Sequence, residues 1–187
     1  MRLITLTIVT TMLLYENIYK EQNYTLLHKK KNIEIRQYSE YIVAKTTVSL
    51  NNGRELENNM FRTLASYIFG RNQKSQNIPM TAPVTTFKDD DAYNMLFYML
   101  DSKDIKDLPS PSGQDITFEK FNLDKCAVIR FSWFVNDRKI IKYKNRLQKF
   151  LDDNGYKATS PFMINRYDSP WKLPFMRRNE VLVKINQ

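Results

Sequence analysis

Residues able to carry out covalent or metal chemistry are scarce in this sequence. The 187-residue chain has one cysteine, Cys126, and one histidine, His28, which lie far apart. A Cys/His zinc site, a disulfide framework and a Cys-His nucleophilic pair all need more such residues or a closer pairing. Only 4 glycines are present, which argues against a glycine-rich phosphate loop or a dinucleotide-binding fingerprint.

Carboxylates give no stronger sign of catalysis. The pair Asp152 and Asp153 falls at the predicted end of a helix, where a solvated turn is the ordinary role of such a pair. No serine or cysteine lies near a histidine that would activate it. The sequence therefore predicts no catalytic residues, no metal ligands and no enzyme.

The basic surplus allows two interpretations. The chain has 29 Lys and Arg against 20 Asp and Glu, for a net charge of +9, which suits an anionic partner or simply a soluble surface. Arg138, Lys142, Arg146 and Lys149 follow one face of a predicted helix, which is either a solvated face or a contact with an anionic membrane surface. No nucleic-acid partner is predicted, because no recognised binding module is present.

Two similar series of elements organise the chain. Period-2 alternation over 33–38 and a β-branched run over 41–49 predict two strands, which we expect to pair as neighbours. A helical apolar stripe over 56–68 ends at Gly70, and extended segments follow at 79–87 and 93–100. The same order returns from Ile116, with a helix capped by Asp137 and ended by Gly155. The pattern predicts a duplicated α+β domain with a mostly antiparallel sheet that curls toward a barrel.

Three separated motifs carry a family resemblance. They are the stretches 33–38 (IEIRQY), 67–84 (YIFGRN followed by IPMTAPV) and 167–181 (YDSPWKLPFMRRNEV). Their order and spacing resemble the SOUL haem-binding protein family over residues 24–185.

The resemblance implies a fold and a ligand. The implied fold is α+β, with two βαββ-like repeats forming a distorted antiparallel β-barrel flanked by two helices. The implied function is non-enzymatic binding of haem or another tetrapyrrole in an apolar cleft beside the first helix, with basic side chains at the propionates and no required axial protein ligand. The alternative is a membrane-surface or small-molecule-sensing module that uses the basic second helix.

A porphyrin needs apolar walls and cations at its rim, which selects candidate residues. The candidate cofactor-binding residues are Met60, Phe61, Ala65, Phe69, Trp171, Lys172, Phe175, Arg177 and Arg178. Purely structural roles are equally open to them: the helical stripe can be core, and Arg177 and Arg178 can fix the loop to the sheet through ion pairs. Ser66 falls where some family members offer a basic residue, which weakens a two-cation clamp.

The resemblance implies that no axial protein ligand to the iron is required, although Met80, Cys126 and the tyrosines are possible ligands in principle. His28 is the conventional nitrogen ligand, but it lies at the edge of the domain before three lysines. Cys126 lies in a predicted strand and is most simply a small buried hydrophobe. Binding without an axial ligand favours carriage or buffering of haem over redox catalysis.

The amino terminus, residues 1–22, is a separate segment from the domain at 23–187. An apolar stretch from Leu3 to Tyr15 fits the core of a secretion signal and is short for a membrane span of about 20 residues. No Ala-x-Ala cleavage pattern follows it. A signal peptide, a short anchor and an element of the domain all stay open, and export or anchoring is expected ahead of a cytoplasmic location.

Overall fold

The computed structural model describes residues 19–49, 56–90, 92–113 and 115–186, which form an α+β fold. The strands are β1 (Lys20–Glu21), β2 (Tyr24–Lys30), β3 (Ile33–Tyr38), β4 (Glu40–Ser49), β5 (Thr81–Ala82), β6 (Val84–Asp89), β7 (Ala92–Tyr98), β8 (Thr117–Asn122), β9 (Lys125–Phe131), β10 (Lys157–Ala158), β11 (Met163–Arg166) and β12 (Asn179–Asn186). The helices are α1 (Leu56–Ile68) and α2 (Asp137–Asn154), with short 3-10 turns at Ile105–Asp107 and Pro174–Met176. Two helices beside a curled antiparallel half-barrel confirm the predicted fold class.

The large sheet has the internal symmetry that a duplication implies. Its strand order is β2-β3-β9-β12-β11-β6-β7-β4-β8, with β10 beside β12. On one side of the central β11–β6 pair lie β12 and β9, and on the other lie their counterparts β7 and β4. Helix α1 packs on β4 and β7, whereas α2 packs on β9 and β12. Each repeat therefore supplies three adjacent strands of the sheet and the helix that packs on two of them.

The expected pairing of the first two strands is wrong. β3 pairs with β2 and β9, and β4 pairs with β7 and β8. Only Ser39 separates β3 from β4, and a hairpin needs a loop of at least two residues. The chain therefore continues from one half of the sheet into the other, and the opening strand of each repeat pairs with the second strand of the other repeat.

Local signals end the helices. Gly70 (φ +100°) and Gly155 (φ 72°) both adopt positive φ just past α1 and α2, a conformation that glycine adopts without strain. The cap of α2 is Asn136 rather than the predicted Asp137, because the Asn136 side chain accepts a hydrogen bond from the Lys139 amide at 2.9 Å.

Three apolar clusters form the core. One lies under α2 around Ile129 and Leu147, and another lies under α1 around Leu64 and Phe97. The third fills the opposite side of the sheet around Tyr98 and Val128. Alternate residues of each central strand thus face a helix or the inside of the half-barrel.

The amino-terminal prediction lies largely outside the described residues. Within the predicted segment, Lys20 and Glu21 pair in parallel with Thr81 and Ala82, and Gln22 is buried. Residues 1–18 are outside the described part of the chain, so a signal peptide or anchor there stays a prediction. No helix in the described ranges is both long enough and apolar enough to span a bilayer.

Candidate functional site

Helix α1 carries an apolar edge on its solvent side. Phe61 and Ala65 lie one turn apart, and Phe69 continues this edge because its amide donates to the Ala65 carbonyl at 3.0 Å. Phe61 is 42% exposed and Phe69 68% exposed, although the Phe61 ring also packs against Phe97 at a centroid distance of 5.4 Å. Two large aromatic rings therefore face solvent on one side of this helix.

The other helical candidates lie deeper. Met60 is buried in the core cluster with Leu64 and Ile68, and it faces the sheet rather than solvent. Ala65 is also buried but lies between the two exposed rings along the helix. The predicted helical stripe thus belongs to the core, whereas Phe61 and Phe69, which are offset from it, form an exposed apolar edge.

A cleft of about 530 Å³ lies along the other edge of the exposed face of α1, against residues 111–113 and 115–116. Arg62 and Arg71 line it together with Ser66 and Asp115. Neither guanidinium forms an ion pair with another described residue.

Sequence reasoning missed these two arginines. Ser66 uses its hydroxyl to donate to the Thr63 carbonyl at 2.9 Å, so it supplies no charge to the cleft. Arg62 lies one turn earlier on the same side and supplies the cation that Ser66 lacks. The i, i+4 relation of the two residues was the signal that could have found it.

The predicted cations of the loop 168–178 are engaged within the fold. Lys172 pairs with Asp168 at 2.5 Å, and Arg177 donates to the carbonyls of Lys172 (2.9 Å) and Pro170. Arg178 pairs with Glu21. Lys172 and Arg177 therefore make these contacts within the loop itself, and of the three cations only Arg178 forms an ion pair that ties the loop to another element, β1.

Arg178 also stacks on a neighbouring ring. Its guanidinium carbon lies 3.5 Å from the centre of the Tyr167 ring. Burial lowers the pKa of Arg178, but the interactions with Glu21 and Tyr167 outweigh burial, so the pKa is raised above its ordinary value. The Arg178 side chain is only 20% exposed. A second anionic partner would have to compete with contacts that Arg178 already makes.

The aromatic candidates of the same loop form an exposed surface with a second loop. The Trp133 amide donates to the Pro174 carbonyl at 2.8 Å, and the Asn179 side chain donates to the Trp133 carbonyl at 2.8 Å. We call the exposed apolar residues of these two loops the aromatic loop surface: Trp133, Phe134, Trp171, Leu173, Phe175 and Met176. Trp171 and Phe175, both predicted as porphyrin walls, therefore face solvent at 91% and 59% exposure.

Two of the three sequence motifs meet at a buried ion pair. Arg36 Nη1 and Nη2 donate to the Glu180 carboxylate at 2.9 and 3.0 Å. Arg36 also donates to the Tyr38 hydroxyl at 2.9 Å, and the Tyr167 hydroxyl donates to Glu180 at 2.8 Å. This cluster joins β3, β12 and the end of β11, so those motif residues hold the half-barrel together.

Burial and charge act on the pKa values of this cluster. Burial disfavours the charge on Arg36, but the Glu180 carboxylate more than compensates and the pKa of Arg36 rises above its ordinary value. Burial raises the pKa of both Tyr38 and Tyr167, and the Glu180 charge adds to the shift. Both phenols therefore stay protonated, and Tyr167 serves as a hydrogen-bond donor.

The start of the loop 168–178 is tied to α1. Arg166, at the end of β11, donates to the Glu57 carboxylate at 3.2 Å and to the Thr86 hydroxyl at 3.0 Å. Glu57 lies one turn before Phe61 on α1. The end of β11, from which the loop 168–178 follows, therefore contacts the first turn of α1.

The lone histidine and cysteine lie elsewhere. His28 is exposed on the edge strand β2 opposite Ile35, on the half of the sheet that α2 covers. Cys126 is buried in β9, its thiol donates to the Leu123 carbonyl at 3.2 Å, and burial raises its pKa to about 12. Cys126 is thus a protonated core residue.

The comparison with protein families decides the assignment. The family model described as SOUL heme-binding protein matches residues 19–184, nearly the whole chain. The chain belongs to the SOUL heme-binding protein family. A search of curated proteins finds no match for this SOUL protein.

Solved structures share its fold at low sequence identity. The EcmrR C-terminal domain matches with a TM-score of 0.62 at 11% identity, covering 88% of this chain and 98% of that one. An uncharacterized conserved protein from Listeria innocua matches with a TM-score of 0.60 at 10% identity, covering 84% and 93%. A hydrolase from Listeria innocua matches with a TM-score of 0.55 at 9% identity, covering 86% and 94%. Such likenesses show the fold alone, so the activity of that hydrolase is not carried over.

Proposed function

We propose that this SOUL protein binds haem or another tetrapyrrole reversibly on the exposed face of α1, without catalysis. The macrocycle lies against the apolar edge of Phe61, Ala65 and Phe69, and its carboxylates reach Arg62 and Arg71 at the neighbouring cleft. The observation that carries the proposal is the arrangement of α1 itself, which presents exposed aromatic rings beside two arginines without described ion-pair partners.

The chemistry of a porphyrin fits this arrangement. Its disc is wide, flat and apolar, and exposed aromatic rings gain favourable burial and stacking contacts when such a disc covers them. Its two carboxylates stay at the rim, where guanidinium groups are the preferred partners. Two arginines line the cleft, which suits the carboxylates better than the disc.

The available cations favour α1 over the loop 168–178 as the anion-binding part. Lys172, Arg177 and Arg178 already contact Asp168, loop carbonyls and Glu21. Recruiting them would break those contacts, whereas Arg62 and Arg71 have no ion pair with another described residue to break. Trp171, Phe175 and the three loop cations stay a prediction as porphyrin contacts, and variants of the loop and of α1 separate the two sites.

Binding without an axial ligand supports carriage or buffering. His28 lies on the half of the sheet that α2 covers, whereas the proposed surface lies on α1. Affinity would then come from apolar burial and carboxylate pairing, and both allow ready release. A ligand held in this way is exchanged more easily than one fixed by iron coordination.

Haemin titration of the protein, followed by the Soret band, tests the proposal. We expect saturable binding that Phe69→Ser and the double variant Arg62→Gln/Arg71→Gln each weaken. An exposed charge-assisted pair contributes about 1 kcal/mol, or roughly fivefold in affinity for each arginine. The matched control is Arg138→Gln, an equally exposed arginine on α2, which should leave the affinity unchanged.

Protoporphyrin IX and its dimethyl ester provide the second arm of the test. The ester lacks both negative charges, so it should bind the native protein more weakly than protoporphyrin IX does. It should bind the double arginine variant no more weakly than it binds the native protein, because it has no carboxylate for the arginines to pair with. Absence of saturable binding contradicts the proposed function. If Trp171→Ser abolishes binding and Phe69→Ser binds fully, the binding site would be assigned to the loop 168–178 instead of α1.

A further inference from the structure

Hydrogen bonds join the two loops that form the aromatic loop surface. The hydrogen bond from Trp133 to the Pro174 carbonyl and the one from Asn179 to the Trp133 carbonyl are both 2.8 Å long. Arg177 lies over the Phe134 ring at 4.7 Å, and the 3-10 turn at Pro174–Met176 shapes the second loop. The two loops are therefore held in a fixed relation at one end of the sheet.

No other described part of the chain covers much of this surface. Trp133 and Phe134 are each 53% exposed, and Trp171 is 91% exposed. Exposed aromatic and aliphatic side chains grouped in this way mark a site of contact with a protein, a ligand or a membrane. Both tryptophans of the 187-residue chain lie on this surface.

Cations border the surface and continue along α2. The Lys139 ammonium lies 5.8 Å from the Trp133 ring, and the exposed Arg138 and Lys142 follow in the first two turns of the helix. Between residues 132 and 149 the chain has six Lys or Arg and one acidic residue, Asp137. Apolar loop tips are thus flanked by a helix whose exposed side is strongly positive.

We propose that the aromatic loop surface docks this protein on anionic phospholipid bilayers, with the first turns of α2 against the headgroups. Tryptophan and phenylalanine are the side chains that enter the interfacial region of a bilayer, with an apolar body below and polar contacts above. Lysine and arginine beside them add attraction to anionic lipid within a Debye length. The complementary charge selects a lipid surface over a neutral apolar partner.

This role is separate from tetrapyrrole binding on α1. The docking residues belong to the loops 132–135 and 171–176 and to α2, whereas the proposed porphyrin contacts belong to α1 and to the cleft beside it. Docking can therefore be tested without haem.

Intrinsic tryptophan fluorescence tests the proposal directly, because both indoles lie on the docking surface. We expect vesicles of phosphatidylcholine and phosphatidylserine to shift the emission to the blue, and lipids brominated in the acyl chain to quench it. Vesicles of phosphatidylcholine alone should produce a much smaller change. Vesicle sedimentation in parallel gives the bound fraction and its dependence on salt.

Matched variants separate insertion from general charge attraction. Trp171→Ser removes the most exposed indole and should weaken vesicle binding while leaving the fold intact. Arg138→Glu/Lys142→Glu should reduce binding to anionic vesicles by about tenfold or more, given the contribution of each cation near such a surface. Lys103→Glu/Lys106→Glu makes the same change in charge at two other exposed lysines and should have a much smaller effect.

Several results would overturn this proposal. Sedimentation with anionic vesicles without any change in emission would mean that the protein adsorbs without inserting these loops. Equal losses in the two charge-reversal variants would mean that net charge alone drives binding. An equal emission shift with duplex DNA would assign the surface to nucleic acid instead.

Discussion

Replacing Glu180 with glutamine tests whether the buried ion pair between two sequence motifs stabilises the half-barrel. The Arg36 and Glu180 side chains are 3% and 2% exposed, and two hydrogen bonds of 2.9 and 3.0 Å join them. Glu180→Gln keeps the shape of the side chain but removes its charge. The Arg36 guanidinium then stays buried without its principal counter-charge.

The structure sets the size of the expected effect. Removing one partner of a buried pair costs about 3–5 kcal/mol, because the other charge is left uncompensated. Glu34 also contacts Arg36, at 2.6 Å, and its carboxylate remains in the variant. We therefore expect the lower end, about 3 kcal/mol, which corresponds to a decrease in Tm of roughly 6–12 °C for a protein of this size.

Urea denaturation followed by circular dichroism measures this loss of unfolding free energy. The matched control is Glu40→Gln, which breaks an exposed pair with Lys120 (3.2 Å, side chains 48% and 63% exposed) and should cost about 0–1 kcal/mol. The apolar double variant Arg36→Met/Glu180→Leu should recover part of the stability lost in Glu180→Gln, because no charge is left buried alone but the buried Tyr167 hydroxyl still loses its acceptor. A Glu180→Gln protein within about 1 kcal/mol of the native one would refute the reasoning.

Two further predictions concern the ligand and pH. His28→Ala should leave the spectrum of bound haem unchanged, because His28 lies on an edge strand away from α1; loss of low-spin bands in the haemin titration would contradict this. Burial alone would raise the pKa of Glu34, but hydrogen bonds from Lys29 and Arg36 hold it below its ordinary 4.5. A carboxyl with a depressed folded pKa stabilises the protein above its unfolded pKa, and the stabilisation is lost as pH falls through the folded value. The stability deficit of Glu34→Gln should therefore be constant from neutral pH to about 4.5 and shrink below it, as urea denaturation at several pH values would show.

Local sequence patterns predicted both helices and the main strands of the two repeats, but not β1 or the edge strand β2. The apolar stripe of α1 and the glycines after both helices fixed where the helices lie, because period and backbone freedom are properties of neighbouring residues. Alternation marked β3, and the repeated order of elements indicated two related halves. The scarcity of His, Cys and Gly also argued against a Cys/His zinc site, a disulfide framework, a Cys-His nucleophilic pair and a glycine-rich phosphate loop.

The pairing of strands was decided by tertiary structure. β3 and β4 are adjacent in sequence, but the single residue Ser39 between them cannot turn the chain back. Each opening strand instead pairs across the duplication, with β3 beside β9 and β8 beside β4. No local pattern specifies such an exchange, because it depends on which edge the other repeat leaves open.

The use of the charged side chains was also decided by tertiary structure. The sequence identified Arg177 and Arg178 as cations but did not reveal that loop carbonyls and Glu21 already occupy them. Arg62 and Arg71 were not among the binding residues predicted from the sequence, but folding brings both to one cleft beside α1. Sequence alone determined which side chains this protein has and the local elements that carry them. Which charges are engaged within the fold and which stay available to a ligand depended on contacts between residues distant in the chain.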